Sequence, residues 1–493
     1  MASLSSVGIS GSGLDESLIT KLVAVQKQPI TDLNNRTDAI KTRLSTYGQI
    51  QSALSTLRDA AAKLTNPATW AGSKTTTSDA TVATATAASS AVGNVTLAVS
   101  QLASAQTLAG PTLSGPSATL GQGTLTLELG SWGTDGGGAT TFTSKSGTSP
   151  VSVNITATDT LATIRDKING AGAGVTAAIV TDATGSRLTL SSSQTGETNA
   201  FRVTVADGDG NSGDASGLSQ LAYDPSGSAS QMTLTLPAAN ARALLNGLPI
   251  SSETNTLSSA IDGLNITLLK ASSPPATANI SVSQDRDAIK KAISDFTTAY
   301  NAINQLLRTQ TKFDASTLTS DTSADAQKQA QLQRLSSLQG DSTALGIMNQ
   351  LRGIVGGSTS LGGSLQRLAD LGLAPGTDGN LPTASTKLDN AMNNLDDLKK
   401  FFMGVDSTND SNSGFATRIR STVDAMLGTD GSVSSRQAAI QKQISANNKQ
   451  ADTMQARADS MEKLLRQQYS SLDQTYSKYS NLATYLTQQL SKL

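Results

Sequence analysis

The sequence predicts a multidomain α+β protein, with a terminal helical coiled-coil stem, a helical bundle, and all-β head domains inserted between the two helical ends. Three observations predict it. Apolar residues recur at alternating three- and four-residue steps near both ends of the chain. They alternate with period two across the middle, and 493 residues suffice for about three domains of roughly 150 residues each.

At the N-terminus, Leu14, Leu18, Leu22 and Val25 give a first helix one apolar face. Pro29 is expected to interrupt or restart that helix, because proline lacks the backbone N–H and its ring crowds the preceding turn. Leu33, Ile40, Tyr47, Leu54 and Ala61 follow at seven-residue spacing, with Ile50, Leu57 and Leu64 as a companion stripe, and Asn66-Pro67 stops the run.

After Trp70 the composition turns to Thr, Ala, Ser, Val and Gly. Residues 95–99 and 125–129 alternate apolar and polar, as half-buried strands do. Further strands are expected at 151–156, 175–180, 187–191, 201–205, 232–236, 266–269 and 280–282, with one short helix at 161–169. Gly-rich loops at 133–138 and 207–217 separate them.

From Asp285 the helical period returns, with Ile289, Ile293, Phe296, Tyr300, Ile303 and Leu307 on one face. Shorter helices are expected at 322–338, 342–355, 364–370, 384–402 and 414–427. A heptad seam starts at Ile440 and runs through Ile444, Ala451, Met454, Ala458, Met461, Leu465, Leu472, Tyr479, Leu482 and Leu486. Asn447, Gln468, Thr475 and Gln489 also fall on it, and polar seam residues lower stability while fixing register. About 54 residues at about 1.5 Å each extend roughly 80 Å. A helix that long requires partners, and the N-terminal stripes supply one.

Composition narrows the function. Lys and Arg number 37 against 38 Asp and Glu, and aromatics are 3% of the chain. Neither phosphate-backbone binding nor base stacking is supported, so nucleic acid is not an expected partner. Cys and His are both absent, which removes disulfides, thiolate nucleophiles, imidazole bases and the usual zinc and haem ligand sets. No catalytic, cofactor or metal site is expected, and no enzyme. No stretch approaches the roughly 18 apolar residues of a membrane span, so membrane insertion is not expected, and the N-terminus shows no Sec-type signal. The terminal Ser491-Lys492-Leu493 spells a peroxisomal address but reads as a helix end.

Individual motifs give no chemistry. Asp207-Gly208-Asp209-Gly210-Asn211 opens like a calcium loop, yet Ser212 stands where the turn glycine belongs and Leu218 where the bidentate Glu belongs. Gly170 to Gly174 follows a helix and lacks the Lys-Ser/Thr ending of a phosphate cradle. The sequons at Asn94, Asn154, Asn265 and Asn279 lie in strand patterns. Asp396-Asp397 reads as a solvated helix face.

Several stretches resemble the flagellar filament cap family, the type-two hook-associated proteins. They are SVGISGSGLD (6–15) with LITKLVAVQKQPI (18–30), TLATIRDKINGAGAGVTAAIV with GSRLTLSSSQTG (160–196), LLNGLPISSETNTLSSAIDGLNITLLKA (244–271) and DFTTAYNAINQLL (295–307). Gly340-Asp341-Ser342, 368–372 and the terminal heptads also fit. Two stretches depart from the family pattern: Pro382-Thr383-Ala384 follow Gly379-Asn380-Leu381 where an Asp is usual, and 106–150 matches nothing in it.

The resemblance implies a secreted structural protein that forms a ring homo-oligomer, a pentamer, at the tip of the bacterial flagellum. There it would retain exported flagellin and promote its folding and insertion. The implied partners are flagellin, the hook–filament junction protein and a flagellar export chaperone, with export unfolded through the type III channel. Another axial protein (flagellin or the junction protein) and a surface adhesin are the competing readings. The expected division is 1–42 with 450–493 as a terminal coil, 43–75 with 285–449 as a helical leg, 76–105 with 235–284 as an inner β domain, and 106–234 as an outer β domain. Assembly is expected to use Leu14, Leu18, Leu22, Val25, Leu33, Ile40, Leu465, Leu472, Tyr479, Leu482 and Leu486.

Overall fold

The computed structural model describes residues 16–88, 93–227, 230–272, 274–313 and 323–490. The chain divides into two compact units, a helical one built from both chain ends and a β unit of Ala71–Asp285.

Helix α1 (Glu16–Leu64) runs unbroken through Pro29, contrary to the interruption expected there. Pro29 is exposed, so the carbonyl its missing N–H leaves free is not driven into an apolar core. A short α2 (Pro67–Ala71) follows.

The β unit opens with β1 (Ser73–Thr77), β2 (Ala83–Ala87) and β3 (Gly93–Gln101). Its outer lobe holds β4 (Thr107–Ala109), β5 (Gly123–Thr134), β6 (Thr140–Ser144), β7 (Val151–Ile155), α3 (Leu161–Gly170), β8 (Val175–Asp182), β9 (Gly185–Ser192), β10 (Ala200–Asp207) and β11 (Thr233–Leu236). The chain returns through β12 (Ala241–Leu245), β13 (Leu248–Ser252), β14 (Thr256–Ile261), β15 (Leu264–Leu268) and β16 (Ala276–Gln284). Strands β1, β2, β4, β6, β12, β13 and β14 were not anticipated: β1, β2 and β6 are Ser- and Thr-rich with little apolar alternation, and β4, β12, β13 and β14 are short.

In the inner lobe a five-stranded sheet, β1-β16-β3-β12-β13, and a three-stranded sheet, β14-β15-β2, enclose one core. Val95, Leu97 and Val99 point inward from β3, and Ala278, Ile280 and Val282 from β16, the period-two pattern of a half-buried strand. Asn246-Gly247 turns β12 into β13 with φ of 49° and 82°, as a two-residue type I′ hairpin requires. In the outer lobe β10-β5-β6, with β7 also on β5, and β11-β4-β9-β8 share a second core with α3. The Asp207 carboxylate accepts the Ser219 N–H at 2.8 Å and its hydroxyl at 2.9 Å, so it holds a loop closed.

A polar strap joins the two lobes. Gly196 donates its N–H to Ser104 O at 3.1 Å and Glu197 its N–H to Asn240 Oδ1 at 2.9 Å. Gly196 has φ of 107°, and a Cβ there would stand 2.7 Å from Glu253 Cβ, so the approach needs glycine.

The helical unit resumes with α4 (Arg286–Thr311), α5 (Ala324–Ser336), α6 (Ser342–Gly356), α7 (Thr386–Ala391), α8 (Leu395–Met403), α9 (Phe415–Leu427) and α10 (Ser432–Leu490). The single helix expected at 384–402 is two, because the Asn394 side chain caps α8 by accepting the Asp397 N–H at 3.3 Å. The helix expected at 364–370 is a 3₁₀ turn, Leu368–Leu371, that ends at Gly372 in the left-handed region.

Tyr47, Ile50, Leu54, Leu57, Ala61 and Leu64 of α1 are wholly buried, packed with Ile289, Ile293, Phe296, Tyr300, Ile303 and Leu307 of α4. Full burial of such a side chain contributes about 1.5–3 kcal/mol. Phe402 centres an aromatic group, with ring centroids 5.1 Å from Phe401, 6.2 Å from Trp70 and 6.3 Å from Phe296. Asn301, from the Ala-Tyr-Asn motif, exchanges two 2.7 Å hydrogen bonds with the Leu381 backbone. The 378–381 loop is therefore pinned despite the Pro382-Thr383-Ala384 that follows.

One buried carboxylate ties three helices. Asp341 caps α6 by accepting the Thr343 and Ala344 N–H groups at 3.1 Å each. It also accepts from Tyr47 of α1 at 2.6 Å and from Arg436 of α10 at 2.8 Å. Burial pushes its carboxyl up, but the Tyr47 and Arg436 hydrogen bonds outweigh burial and hold it below its ordinary value. Burial and the bond to Asp341 push the Tyr47 phenol well up.

Asp341→Ala removes a buried carboxylate that caps α6 and pairs with the half-buried Arg436, and should destabilise the helical unit by about 1–3 kcal/mol. Trp70 lies in the helical unit and Trp132 in the β unit, so urea unfolding followed by fluorescence in a Trp132→Phe background reads the effect. The pH sense follows from the lowered carboxyl. Its stabilisation is complete above the ordinary value of about 3.9 and fades as pH falls below it. Asp341→Asn should therefore be less stable at neutral pH and lose less stability between about pH 5 and pH 3 than the parent, measured by the same titration.

Candidate assembly interface

The terminal helices α1 and α10 run antiparallel, and polar pairs fix their register. Gln437 donates to Gln51 Oε1 at 3.1 Å, Asn447 donates to Thr37 Oγ1 at 3.2 Å, and Lys27 pairs with Asp459 at 3.3 Å. Thr37 is buried and passes its own hydroxyl proton to Leu33 O at 2.8 Å. The seam residue Asn447 thus finds a partner rather than an apolar surround.

Between these pairs the apolar contact is thin. Ile30, Ala451 and Ala458 form its buried part, with Leu33 and Met454 packed against them. Alanine buries little area, and stabilisation scales at about 25 cal/mol per Å², so this stretch is held far less tightly than the bundle core.

The predicted assembly residues fall into different settings. Leu14 lies outside the described residues, and Leu18 lies within α1. Leu22 and Val25 are exposed, whereas the adjoining positions Ile19 and Val23, which the sequence reading passed over, are buried. The first helix carries two apolar stripes about one residue apart, and the single chain covers the one through Ile19 and Val23. Leu33 is half-buried beside Ile30, and Ile40 sits inside the helical core with Tyr47 and Leu54. Ile40, grouped with the assembly residues, therefore packs with the stripe that builds the bundle, where α4 and α9 lie against α1.

On α10, Leu465 is half-buried, while Leu472, Tyr479, Leu482 and Leu486 are 52–69% exposed. Every residue from Ser471 to Leu490 is exposed. Tyr476, Tyr485 and Leu490 share that exposure. Three of the seven tyrosines, Tyr476, Tyr479 and Tyr485, lie in this run, and the half-buried Tyr469 stands just before it. Tyr and Leu thus recur at helical spacing along a wholly exposed stretch. Charges are sparse along it: from Ser470 to Leu490 there are only Asp473 and Lys478.

Among the described residues no helix is long and apolar enough to cross a membrane, and no group of three or more His, Cys, Asp or Glu is placed to hold a metal ion.

Comparison with known proteins agrees with the architecture. Residues 238–481 match the family model of the flagellar hook-associated protein 2 C-terminus, residues 12–106 that of its N-terminus, and residues 141–194 the flagellin hook IN motif. The last of these overlaps the end of the stretch that had matched nothing. The chain is 30% identical over 496 residues to flagellar hook-associated protein 2 of Escherichia coli O157:H7, covering 99% of this chain and 98% of that one. It is 32% identical over 294 residues to the B-type flagellar hook-associated protein 2 of Pseudomonas aeruginosa, 58% of each chain. The crystal structure of the D1-D2-D3 domains of the flagellar cap protein FliD from Escherichia coli is similar at a TM-score of 0.57 and 27% identity, over 80% of this chain and 99% of that one. With end-to-end identity to such a relative, family models matched at both ends and the same α+β architecture, the chain belongs to the flagellar hook-associated protein 2 family.

Proposed function

We propose that this chain is an extracellular structural protein that caps the distal tip of the bacterial flagellar filament, where it retains exported flagellin and promotes its folding and insertion. The observation that carries this reading is near-complete alignment to flagellar hook-associated protein 2 relatives together with likeness to a solved flagellar cap protein. No observation favours flagellin, the junction protein or an adhesin instead.

The cap is a ring of identical copies, five in number, seated at the filament end. Its partners are flagellin, the hook–filament junction protein beneath it before the filament grows, and an export chaperone before secretion. The role is mechanical rather than catalytic, and a chain without Cys or His has little of the usual nucleophile and base chemistry available. Four separate apolar clusters support the division into terminal coil, helical leg, inner β domain and outer β domain. The coil is the part that grips: Leu22 and Val25 on α1, and Leu472, Tyr479, Leu482 and Leu486 on α10, present apolar surface that the single chain does not cover.

Two outcomes test this. Leu472→Asp and Leu486→Asp replace exposed side chains, so each should leave the unfolding free energies of both units, from urea titration, within about 0.5 kcal/mol of the parent. In a strain lacking the chromosomal copy each should abolish filament elongation, because a carboxylate in the assembled seam costs several kcal/mol unless paired. Normal filaments carrying either variant would remove the terminal coil from the gripping role. In the dilute free chain, amides of residues 432–458 should be protected from hydrogen exchange and those of 472–490 should exchange rapidly, because a helix without tertiary cover is marginal in water. Mass-spectrometric exchange reads both segments in one experiment.

A further inference from the structure

Every sulfur in this chain is a thioether, because it has eight methionines and no cysteine. Two-electron oxidation at sulfur therefore falls on methionine alone. Met1 lies outside the described residues. Met232, Met392 and Met426 are each 4% exposed, and Met348 and Met403 are half-buried against the helical core. Met461 is 47% exposed and belongs to none of the four apolar clusters. Met454 combines access with a packing role. It is packed against Ile30, Ala451 and Ala458 in the contact between α1 and α10, and it also lines a cleft of about 430 Å³ between those helices.

We propose that Met454 is a methionine-oxidation site whose sulfoxide loosens the pairing of α1 with α10. The reagent is a hydroperoxide. The thioether sulfur attacks the terminal peroxide oxygen, the S–O bond forms as the O–O bond breaks, and the proton of that oxygen passes to the departing one. The products are a sulfoxide and water or an alcohol. Sulfur loses two electrons and the peroxide gains two, so no further reagent is needed.

Two features make this position sensitive. The first is access. Gln28 and Arg36 of α1 and Gln450 of α10 line the same cleft, so its walls are partly polar and admit water and a small peroxide. The Met454 side chain is reached without opening the bundle, whereas the three methionines at 4% exposure require local unfolding.

The second feature is how thin the contact is. Its buried part is only Ile30 and two alanines, and Met454 is the largest side chain that α10 contributes to it. Pro29 lines the same cleft, so α1 lacks there the hydrogen bond that an N–H would give the Val25 carbonyl. A sulfoxide oxygen is strongly polar, and it is solvated by turning out into the cleft. That withdraws the side chain from Ile30 and the alanines. The core around Tyr47 shares no residue with this contact, so it stays closed. Neither the oxidation nor the loosening requires the filament-tip role.

The full-length chain is treated with hydrogen peroxide. Mass spectrometry then follows the oxygen gained by each methionine peptide and the amide exchange of residues 19–36 and 447–462. Met461 should oxidise first and Met454 next, with Met232, Met392 and Met426 at least about ten-fold slower than Met454. As the Met454 sulfoxide accumulates, exchange in both segments should accelerate by at least about four-fold, the change expected from losing roughly one buried methylene. Methionine sulfoxide reductase with a thiol reductant should reverse it. Met454→Leu conserves volume, so it should fold as the parent does and hold exchange steady while Met461 still oxidises. Met454→Gln should exchange faster in both segments with no peroxide present. Oxidation of Met454 as slow as that of the buried methionines overturns the site. Complete oxidation with unchanged exchange, or equal acceleration in Met454→Leu, overturns the loosening.

Discussion

The pairing of α1 with α10 is the constraint on which the helical unit depends, and Asp341 is where it is fixed. The two helices lie at opposite ends of the sequence, so every residue between them forms a closed excursion. Closing it costs loop entropy that local contacts do not repay. The bundle core repays it with the fully buried faces of α1 and α4. Hydrophobic burial is non-directional, however, and does not by itself set how far one long helix slides along another. A carboxylate that must satisfy Tyr47, Arg436 and two α6 amides at once has one solution. Arg43 extends the same lock by donating to Ser337 O at 3.0 Å, at the end of α5. Terminal-helix register is thus a consequence of buried polar geometry, and the Gly340-Asp341-Ser342 motif is the place in the chain where it is set.

Much of the fold was legible because its long elements carry strong periodicity. Both terminal helices, the α4 face and most inward-facing strands stand where apolar spacing puts them. What was illegible had specific causes. Pro29 reads as a break only if its turn must be buried, and it is not. Strands β1 and β2, SKTTT and ATATA, present hydroxyls and methyls of similar size on both faces, so only their neighbours β16 and β15 determine which side faces the core. Tertiary pairing overrides a weak local signal there. The Asn246-Gly247 turn, by contrast, has a strong local signature and takes the conformation that signature demands.

The exposed apolar surface of α10 was legible in part. Its place on the last heptads followed from spacing alone, but its angular extent did not. A helix with apolar residues at Leu465, Leu472, Tyr479 and Leu486 leaves two companion stripes open, one three residues on and one four. The first contains Gln468, Thr475 and Gln489 and the second Tyr469, Tyr476, Ala483 and Leu490. Tyrosine is easily discounted as a seam residue because of its hydroxyl, yet it buries a large ring at low entropic cost. On α1 the same ambiguity separates Leu22 and Val25 from Ile19 and Val23. In both helices the sequence marks apolar surface, and what packs against it decides which stripe is covered.

The division of labour along α10 has a physical consequence for a protein that must act only when assembled. Its first half contributes to the stability of the single chain through Val433, Ile440 and Ile444 in the bundle core. Its last half contributes almost nothing to that stability, since the side chains there are exposed whether or not the rest is folded. Their apolar area is a reserve that counts only when another surface covers it, and mass action then makes the gain depend on local concentration. A chain can therefore remain monomeric while dilute and bind firmly where copies are gathered. The alanines at 451 and 458 bury little area between the two halves. The fold and the exposed apolar surface then depend on different residues, so substitution on the exposed stretch leaves the core around Tyr47 and Asp341 intact.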